Sequence, residues 1–271
     1  AYILATPINR RGSCWSISQP YFIGESISYS RYNLLQTLLR KVLHESKINT
    51  QSFLISINTN DTQNLSVIRQ SGFQPLRIIK YWKKKDESTF KRFESKNNFS
   101  WERLNEENSQ QIWRLEQARE SINFRSIFDR QWNDIYEKRN NLTGVIKSND
   151  NNVIAGLIPS ICPQYDYSLE LIRALAWDER LNISIPQRIN NIKLGKKKYY
   201  IETTSEDNRL NEVLNKNNWE IREERVLLGR NIWKRQNGYK LKSIDSELLT
   251  NFVGNLQQQP ELPSTLKIDK K

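Results

Sequence analysis

The sequence carries one pattern of strand, turn, helix and strand twice, 146 residues apart. Asp61 and Asp207 stand at matching positions, and each can cap the helix that follows it. Gly72-Phe73, which is suited to end the first helix, is matched by Asn218-Trp219. The strands before the two aspartates read FLISINTN and YYIETTSED. Because the elements recur in the same order at one spacing, we predict two copies of one folding unit.

A further strand and helix precede each copy. In the first, RRGSCWSISQP alternates as a strand does, and apolar residues over 34–43 recur at helical spacing. In the second, residues 169–177 predict a strand and residues 185–192 a weaker helix. The order strand, helix, strand, helix, strand is therefore expected in both halves.

Only the second half has additional elements in front of this order. The sequence predicts a strand at FSWERL, helices over 105–120 and 126–138, and a hairpin in which LTGVIK and VIAGLI flank the turn SNDNN. The first half begins at about the second strand of that hairpin. We therefore predict an incomplete domain over 1–97, a complete domain over 98–257 and a disordered tail over 258–271.

The end of the second half allows two interpretations. Asn237-Gly238 is a strong hairpin turn, YKLKSI can form a strand, and residues 245–256 can form a capped amphipathic helix. YKLKSI is either the last strand of the second half or, together with its helix, a substitute that completes the first half. We favour the former.

These elements predict an α+β fold, with a mixed, mostly antiparallel sheet flanked by helices, in tandem. A chain of 271 residues can bury a core without disulfide or metal staples. Its apolar runs are too short to span a bilayer and its start does not resemble a signal peptide, so we expect a cytoplasmic protein without membrane contact. Two cysteines and one histidine give no metal-ligand spacing, and we expect neither a metal site nor a histidine-based triad.

The net charge of +12 by itself suggests an anionic partner such as a nucleic acid. The basic residues are scattered, however, and the densest runs, Lys83-Lys84-Lys85 and Lys196-Lys197-Lys198, are short. No predicted helix concentrates basic residues on one face. A solvated basic surface is therefore the preferred interpretation, and nucleic-acid binding ranks low.

The order of elements over 98–244 resembles the GNAT superfamily of N-acetyltransferases, which share an acyl-CoA N-acyltransferase fold. VIKSNDNNVIAGLI is similar to the second and third strands of that family, with Gly156 as the recurrent glycine of the third. Residues 61–73 are similar to its fourth-helix signature, which ends in Gly-Phe. Residues 1–85 resemble the later part of a second copy. Two-copy members exist, and the resemblance implies that often only one copy is catalytic.

The resemblance implies acetyl-CoA as co-substrate, with its pantetheine arm on the central strand and its pyrophosphate at the next loop and helix N-terminus. The family loop is (Gln/Arg)-x-x-Gly-x-(Gly/Ala), which the first half matches only at Gly24 and Ser26. The second half has no glycine there, and Asp178-Glu179 would repel phosphate. We therefore expect the first half to bind acetyl-CoA, through Ser16, Ile17, Ser18, Gly24, Ser26, Arg31, Asn58 and Asp61.

The catalytic residues of the family are not evident in this sequence. Members commonly use a tyrosine four residues before the Gly-Phe glycine to protonate the leaving thiolate, but this chain has Ile68 and Leu214 at those positions. Glu170, on the central strand of the second half, is the candidate general base. The replacement candidates for the acid are Tyr29, Tyr32 and Cys14.

The favoured function is therefore transfer of an acetyl or other acyl group from acetyl-CoA to a primary amine, on a small-molecule or peptide acceptor. An inactive GNAT-like protein that serves as a binding or scaffolding module is the alternative, because the phosphate loop is altered and both tyrosines are missing. A basic nucleic-acid-binding protein is the third candidate. The sequence contains no signal for the acceptor or the oligomeric state.

Overall fold

One mixed sheet contains all ten strands of the described part of the chain. The computed structural model describes residues 1–22, 30–46, 49–85, 100–161, 165, 167–192 and 199–232, and Ala1–Ile232 forms one unit. The strands are β1 (Ala5–Pro7), β2 (Cys14–Ile17), β3 (Ser52–Asn58), β4 (Gln74–Lys84), β5 (Ser100–Arg103), β6 (Gly144–Lys147), β7 (Val153–Pro159), β8 (Ser168–Arg173), β9 (Tyr200–Thr204) and β10 (Trp219–Asn231). The helices are α1 (Arg31–His44), α2 (Thr62–Gln70), α3 (Glu106–Arg119), α4 (Ile122–Phe128), α5 (Trp132–Glu137), α6 (Leu181–Asn190) and α7 (Asn208–Lys216).

The strand order is β1-β2-β3-β10-β4-β9-β8-β7-β6-β5. Two neighbouring pairs, β2 with β3 and β8 with β9, are parallel, and the other pairs are antiparallel. The predicted mixed, mostly antiparallel sheet is thus confirmed. The last described strand of each half pairs with the other half: β10 adds to β3, and β4 adds to β9. The halves are consequently joined through exchanged strands.

The exchange follows the same register in both directions. Ile79 of β4 pairs with Thr204 of β9. At the spacing of the sequence repeat, these residues correspond to Arg225 of β10 and Asn58 of β3, which also pair with each other. The two exchanged strands therefore occupy equivalent positions in the two halves.

The repeated helices have the bounds that the spacing predicts. Helix α7 begins and ends 146 residues after α2. The Asp61 carboxylate accepts a hydrogen bond from the Asn64 amide, and the Asp207 carboxylate accepts one from the Leu210 amide, so both predicted caps are confirmed. Gly72, at φ 84°, has the left-handed backbone that favours glycine after a helix.

Helices α1 and α2 cover one face of the first half of the sheet, and α6 and α7 cover the second half. The side chains that pack there are apolar and buried, because each helix presents one apolar stripe to the strands. In the first half they include Leu35, Leu39, Val67, Ile68, Ile17, Ile55 and Ile57. In the second half they include Leu181, Ile185, Leu210, Leu214, Leu169 and Ile201.

Helix α4 of the second half packs against β3 of the first half and against the exchanged strand β10 beside it. Phe124, Ile127 and Phe128 form a buried cluster with Leu54 of β3 and Leu227 of β10. Helix α4 therefore covers the face of these two strands that is opposite α1 and α2.

The single helix predicted over 126–138 is wrong, because the structure divides this segment between α4 and α5. Asp129 ends α4 with a φ of 43°. Its carboxylate accepts a hydrogen bond from the Ser13 hydroxyl at 2.7 Å, and the Asp134 carboxylate accepts one from the Gln131 amide at 2.8 Å. The break is therefore held by a contact with Ser13, directly before β2, and by a new helix start, although the apolar spacing fits one continuous helix.

Two other predicted elements have different bounds. The strand predicted over 169–177 ends at Arg173, because the Arg173 Nη1 donates to the carbonyls of Ala174 and Leu175 and turns the backbone away. The helix predicted over 185–192 begins earlier, at Leu181. The hairpin at 237–238, the strand and helix after it, and the tail over 258–271 lie outside the described residues.

Candidate functional site

The pairing of the parallel strands of the first half ends where β2 ends. The last registered pair is Ile17 with Ile55, and β3 continues to Asn58. Ile17 and Ile55 pack toward α1 and α2. Because side chains alternate along a strand, Ser16, Ser18 and Ser56 project to the opposite face.

These serines line a cavity of about 500 Å³, which we call the serine cavity. Ser160 and Ser168 of the second half line it as well, so both halves build its wall. Lys138 is also at the wall, and its Nζ donates to the Ile8 carbonyl at 2.5 Å. Apolar residues complete the wall, namely Leu4, Pro7, Ile8, Ile17 and Ile161.

A second cavity, of about 750 Å³, lies at the N-termini of α1 and α2, and we call it the helix-end cavity. The Ser30 side chain makes no cap hydrogen bond to α1, and the first turn of that helix contains no acidic residue. Arg31 is the first residue of α1, and its guanidinium carbon lies 5.5 Å from the centre of the Phe22 ring. Such a helix N-terminus attracts anions. The cavity is lined by Phe22, Ser30, Arg31, Tyr32, Asp61, Thr62, Gln63, Asn64, Ser66 and Val67.

The equivalent helix N-terminus in the second half is closed by acidic residues. The amides of Leu181 and Asn182 donate to the carbonyls of Asp178 and Glu179 at 2.9 and 3.1 Å. Hydrogen bonds from Arg180 lower the pKa of Asp178, whose carboxylate therefore stays charged in front of α6. Asp178 is paired with Arg180 and Glu179 with Arg209, so a phosphate approaching this helix would have to compete with two carboxylates for these guanidinium groups.

An ion pair also joins the carboxyl ends of β8 and β9. Arg173 donates to both oxygens of Asp207, from Nε at 2.9 Å and from Nη2 at 2.8 Å. In the first half, Asp61 matches Asp207 but its carboxylate accepts from Asn64 alone among the bonds of the described residues. In the second half, the Arg173–Asp207 ion pair thus connects the end of β8 with the start of α7. A cavity of about 420 Å³ lies between these residues and the start of α4.

Glu170 lies in a buried network of ion pairs beside that cavity. Its carboxylate is 3.0 Å from Arg77, 3.4 Å from Arg130 and 3.6 Å from Arg119. Burial alone would raise the pKa of Glu170, but the three guanidinium groups outweigh burial and lower it. A carboxylate held in this way is a weak proton acceptor, so the environment argues against the predicted role of general base.

Glu202, which neighbours Glu170 in the β8–β9 register, has the opposite environment. Only 3% of this residue is exposed, and burial raises the pKa of its carboxyl to about 8. Glu170 raises this pKa further, whereas the Ser160 hydroxyl lowers it. Sequence reasoning did not single out Glu202, because in YYIETTSED it reads as the polar face of a strand.

Asn58 lies beside a further polar group on β10. Its amide donates to the Glu223 carboxylate at 3.2 Å, and the Tyr165 hydroxyl donates to the same carboxylate at 2.9 Å. Arg225 donates from Nη2 to the Ser56 carbonyl at 2.8 Å. This guanidinium therefore satisfies a backbone oxygen beyond the last registered pair of β2 and β3.

The predicted site residues are only partly brought together. Ser16, Ile17 and Ser18 line the serine cavity, and Arg31, Tyr32 and Asp61 line the helix-end cavity. Tyr32 is exposed and its hydroxyl donates to Gln70. Glu170 lines neither cavity, and Cys14 is buried. Gly24, Ser26 and Tyr29 fall outside the part of the chain that the structure describes.

The described residues contain neither a membrane-spanning helix nor a metal-binding cluster. None of the helices in these ranges has the length and apolar character needed to cross a bilayer. Within the same ranges, no three histidine, cysteine, aspartate or glutamate side chains are placed to hold a metal ion.

Known families and curated proteins provide no match to this sequence, whereas solved structures do. A GCN5-related N-acetyltransferase from Sphaerobacter thermophilus aligns with a TM-score of 0.52 and 11% identity, over 86% of this chain and 76% of that one. A functionally unknown conserved protein from Staphylococcus epidermidis aligns with a TM-score of 0.50 and 13% identity, over 83% of this chain and 88% of that one. The likeness confirms the predicted GNAT acetyltransferase fold.

Proposed function

We propose that the protein is an N-acyltransferase that binds acetyl-CoA, or another acyl-CoA, in its first half and transfers the acyl group to a primary amine. The observation that carries this proposal is the pair of cavities at the point where the pairing of β2 and β3 ends. The serine cavity lies on one face of the sheet, and the helix-end cavity lies at the helix ends on the other. One cavity can hold the co-substrate while the other admits the acceptor.

The helix-end cavity has the chemistry that phosphate groups require. It combines the uncapped N-terminus of α1, the Arg31 guanidinium and polar side chains from the start of α2, and the Asp61 carboxylate in its wall is engaged as the cap of α2. Ser16, Ile17 and Ser18 would hold the pantetheine arm. An acyl-CoA supplies an acyl group activated as a thioester, and the chain contributes orientation and a cavity for the amine.

The second half is less suited to the same ligand. Asp178 and Glu179 stand in front of α6, and the Arg173–Asp207 pair bridges the strand ends. A phosphate would have to displace an acidic turn, and the arm would have to break a largely buried ion pair. These contacts support the first half as the acyl-CoA site.

A calorimetric titration with acetyl-CoA tests the binding step. Arg31→Glu reverses the charge in the helix-end cavity, and we expect it to weaken acetyl-CoA binding by at least about tenfold. Arg180→Glu is the matched control at the start of α6, and it should leave the affinity unchanged. Equal weakening by both variants would indicate a nonspecific charge effect, and loss through Arg180→Glu alone would place the site in the second half.

The transfer step is tested by the release of free CoA thiol when acetyl-CoA is mixed with a panel of small amines and lysine-containing peptides. The proposal predicts thiol release that depends on one class of amine, with the acylated amine detected by mass. Tight binding of acetyl-CoA without transfer to any amine would favour an inactive binding protein instead.

A further inference from the structure

Glu202, Ser160 and Ser168 form a buried polar group beside the serine cavity, and the two serines line that cavity. The Oε1 of Glu202 and the two hydroxyl oxygens make no hydrogen bond to any other group of the described residues. The three residues are 3–7% exposed. Buried polar atoms are normally paired, so a group whose interactions are confined to its own members, beside a cavity, indicates a place where a proton is exchanged.

The two serines connect Glu202 with the cavity. Both line the serine cavity, and both hydroxyls lie close enough to the Glu202 carboxyl to lower its pKa. Glu202 itself does not line the cavity. A proton leaving a molecule in the cavity would therefore reach the carboxyl through a serine hydroxyl, which can donate and accept at the same time.

The groups that face Glu202 keep it uncharged at neutral pH. Glu170 on β8 raises its pKa, whereas Arg77 on β4 lowers it, and Tyr81 is its register partner on β4. Because Arg77 also donates to Glu170, at 3.0 Å, much of its charge is already compensated. Burial prevails, and the carboxyl becomes ionised only as the pH rises through about 8.

Resting on the proposed function, we infer that Glu202 is the final acceptor of the proton that the amine loses, and that Ser160 and Ser168 relay it from the serine cavity. In the transfer, the amine nitrogen forms a bond to the acyl carbon and the bond from that carbon to sulfur breaks. The nitrogen releases one proton, which passes through a serine hydroxyl to the Glu202 carboxylate. CoA leaves as a thiolate, which takes a proton from water.

The test measures kcat for thiol release against pH, from pH 6 to 9.5, in the full chain. Wild-type kcat should rise with pH to a plateau above pH 8. Glu202→Gln preserves the shape and neutral charge of the protonated acid, so it should fold, and it should lower kcat at the plateau by about 100-fold and abolish the pH dependence. Glu206→Gln, an exposed carboxylate after the same strand, is the matched control and should keep the wild-type profile.

A second variant separates the relay from a purely structural effect. Ser160→Ala with Ser168→Ala leaves the Glu202 carboxyl in place but removes both hydroxyls, and it should reduce kcat and the pH-dependent limb with little change in acetyl-CoA affinity. Retention of the wild-type pH profile by both Glu202→Gln and the double variant would overturn the inference and leave the proposed function intact. Absence of acetyl-CoA binding in the wild-type protein would instead overturn the proposed function, on which the inference rests.

Discussion

The two halves use one backbone arrangement for different purposes. Ser56 in the first half corresponds, at the repeat spacing, to Glu202 in the second, whose register partner is Glu170. Ser56 lines an open cavity, whereas Glu202 is buried and Glu170 is held by three arginines in the interior. The comparison teaches that the end of the parallel pairing creates a possible site in each half, and that side-chain charge determines whether it remains open.

The largest effect is expected from breaking the ion-pair network of the second half. Arg130→Ala removes a guanidinium that is 6% exposed and paired with Glu116 and Glu170, and it leaves buried carboxylates without compensation. We expect a loss of about 3–5 kcal/mol in the free energy of unfolding, measured with urea. Arg10→Ala, which removes an exposed pair with Glu137, should cost less than about 1 kcal/mol. Similar losses for the two variants would show that the buried network does not stabilise the fold.

Glu202→Gln should have the next largest effect, and in the stabilising direction. Folding raises the pKa of Glu202 from 4.5 to about 8, so the folded protein keeps a proton that the unfolded chain releases. Wild-type stability should therefore fall as the pH rises from about 4.5 to about 8. Glutamine carries no such proton, and its advantage should grow to about 4 kcal/mol at pH 8. An advantage that is the same at pH 5 and pH 8 would contradict the raised pKa.

The two helix caps provide a direct comparison between the halves. Asp207→Ala removes the cap of α7 and also leaves Arg173 unpaired, so it should cost about 2–3 kcal/mol. Asp61→Ala removes only the cap of α2 and should cost about 1 kcal/mol. The measurement is thermal or urea unfolding of both variants. Equal costs would mean that the Arg173–Asp207 pair contributes nothing beyond capping.

The smallest effect is expected at the residues that end the repeated helices. Gly72 and Asn218 both have a positive φ, of 84° and 63°. Asn218→Gly should therefore stabilise the protein by a few tenths of a kcal/mol, whereas Gly72→Ala should destabilise it by about 1 kcal/mol. A gain in stability from Gly72→Ala would contradict the left-handed conformation.

Much of the secondary structure could be predicted from the sequence because local signals agree with the fold. Asp61 and Asp207 each precede an apolar helical pattern, and α2 and α7 begin directly after them. The exchange of β4 and β10 could not be predicted in this way. Because both strands pair in the same register, either one satisfies the apolar pattern of β3 and β9 equally well. Only contacts between the halves distinguish the two arrangements.

Only the part of the candidate site that is formed by the ends of strands and helices could be predicted from the sequence. Ser16, Ile17 and Ser18 follow from the position of the central strand, and they do line a cavity. Ser160, Ser168 and Glu202 come from the other half, and no local pattern connects them with β2. A glutamate directly after the apolar residues of a short strand was the available signal, but the polar face of an exposed strand also carries glutamate.

Hydrogen exchange measured with and without acetyl-CoA tests most directly whether the first half holds the acyl-CoA site. The account predicts slower exchange on ligand addition at the starts of α1 and α2, together with the end of β2, and no change at the starts of α6 and α7. Protection confined to the start of α6 and the end of β8 would contradict the account and move the site to the second half.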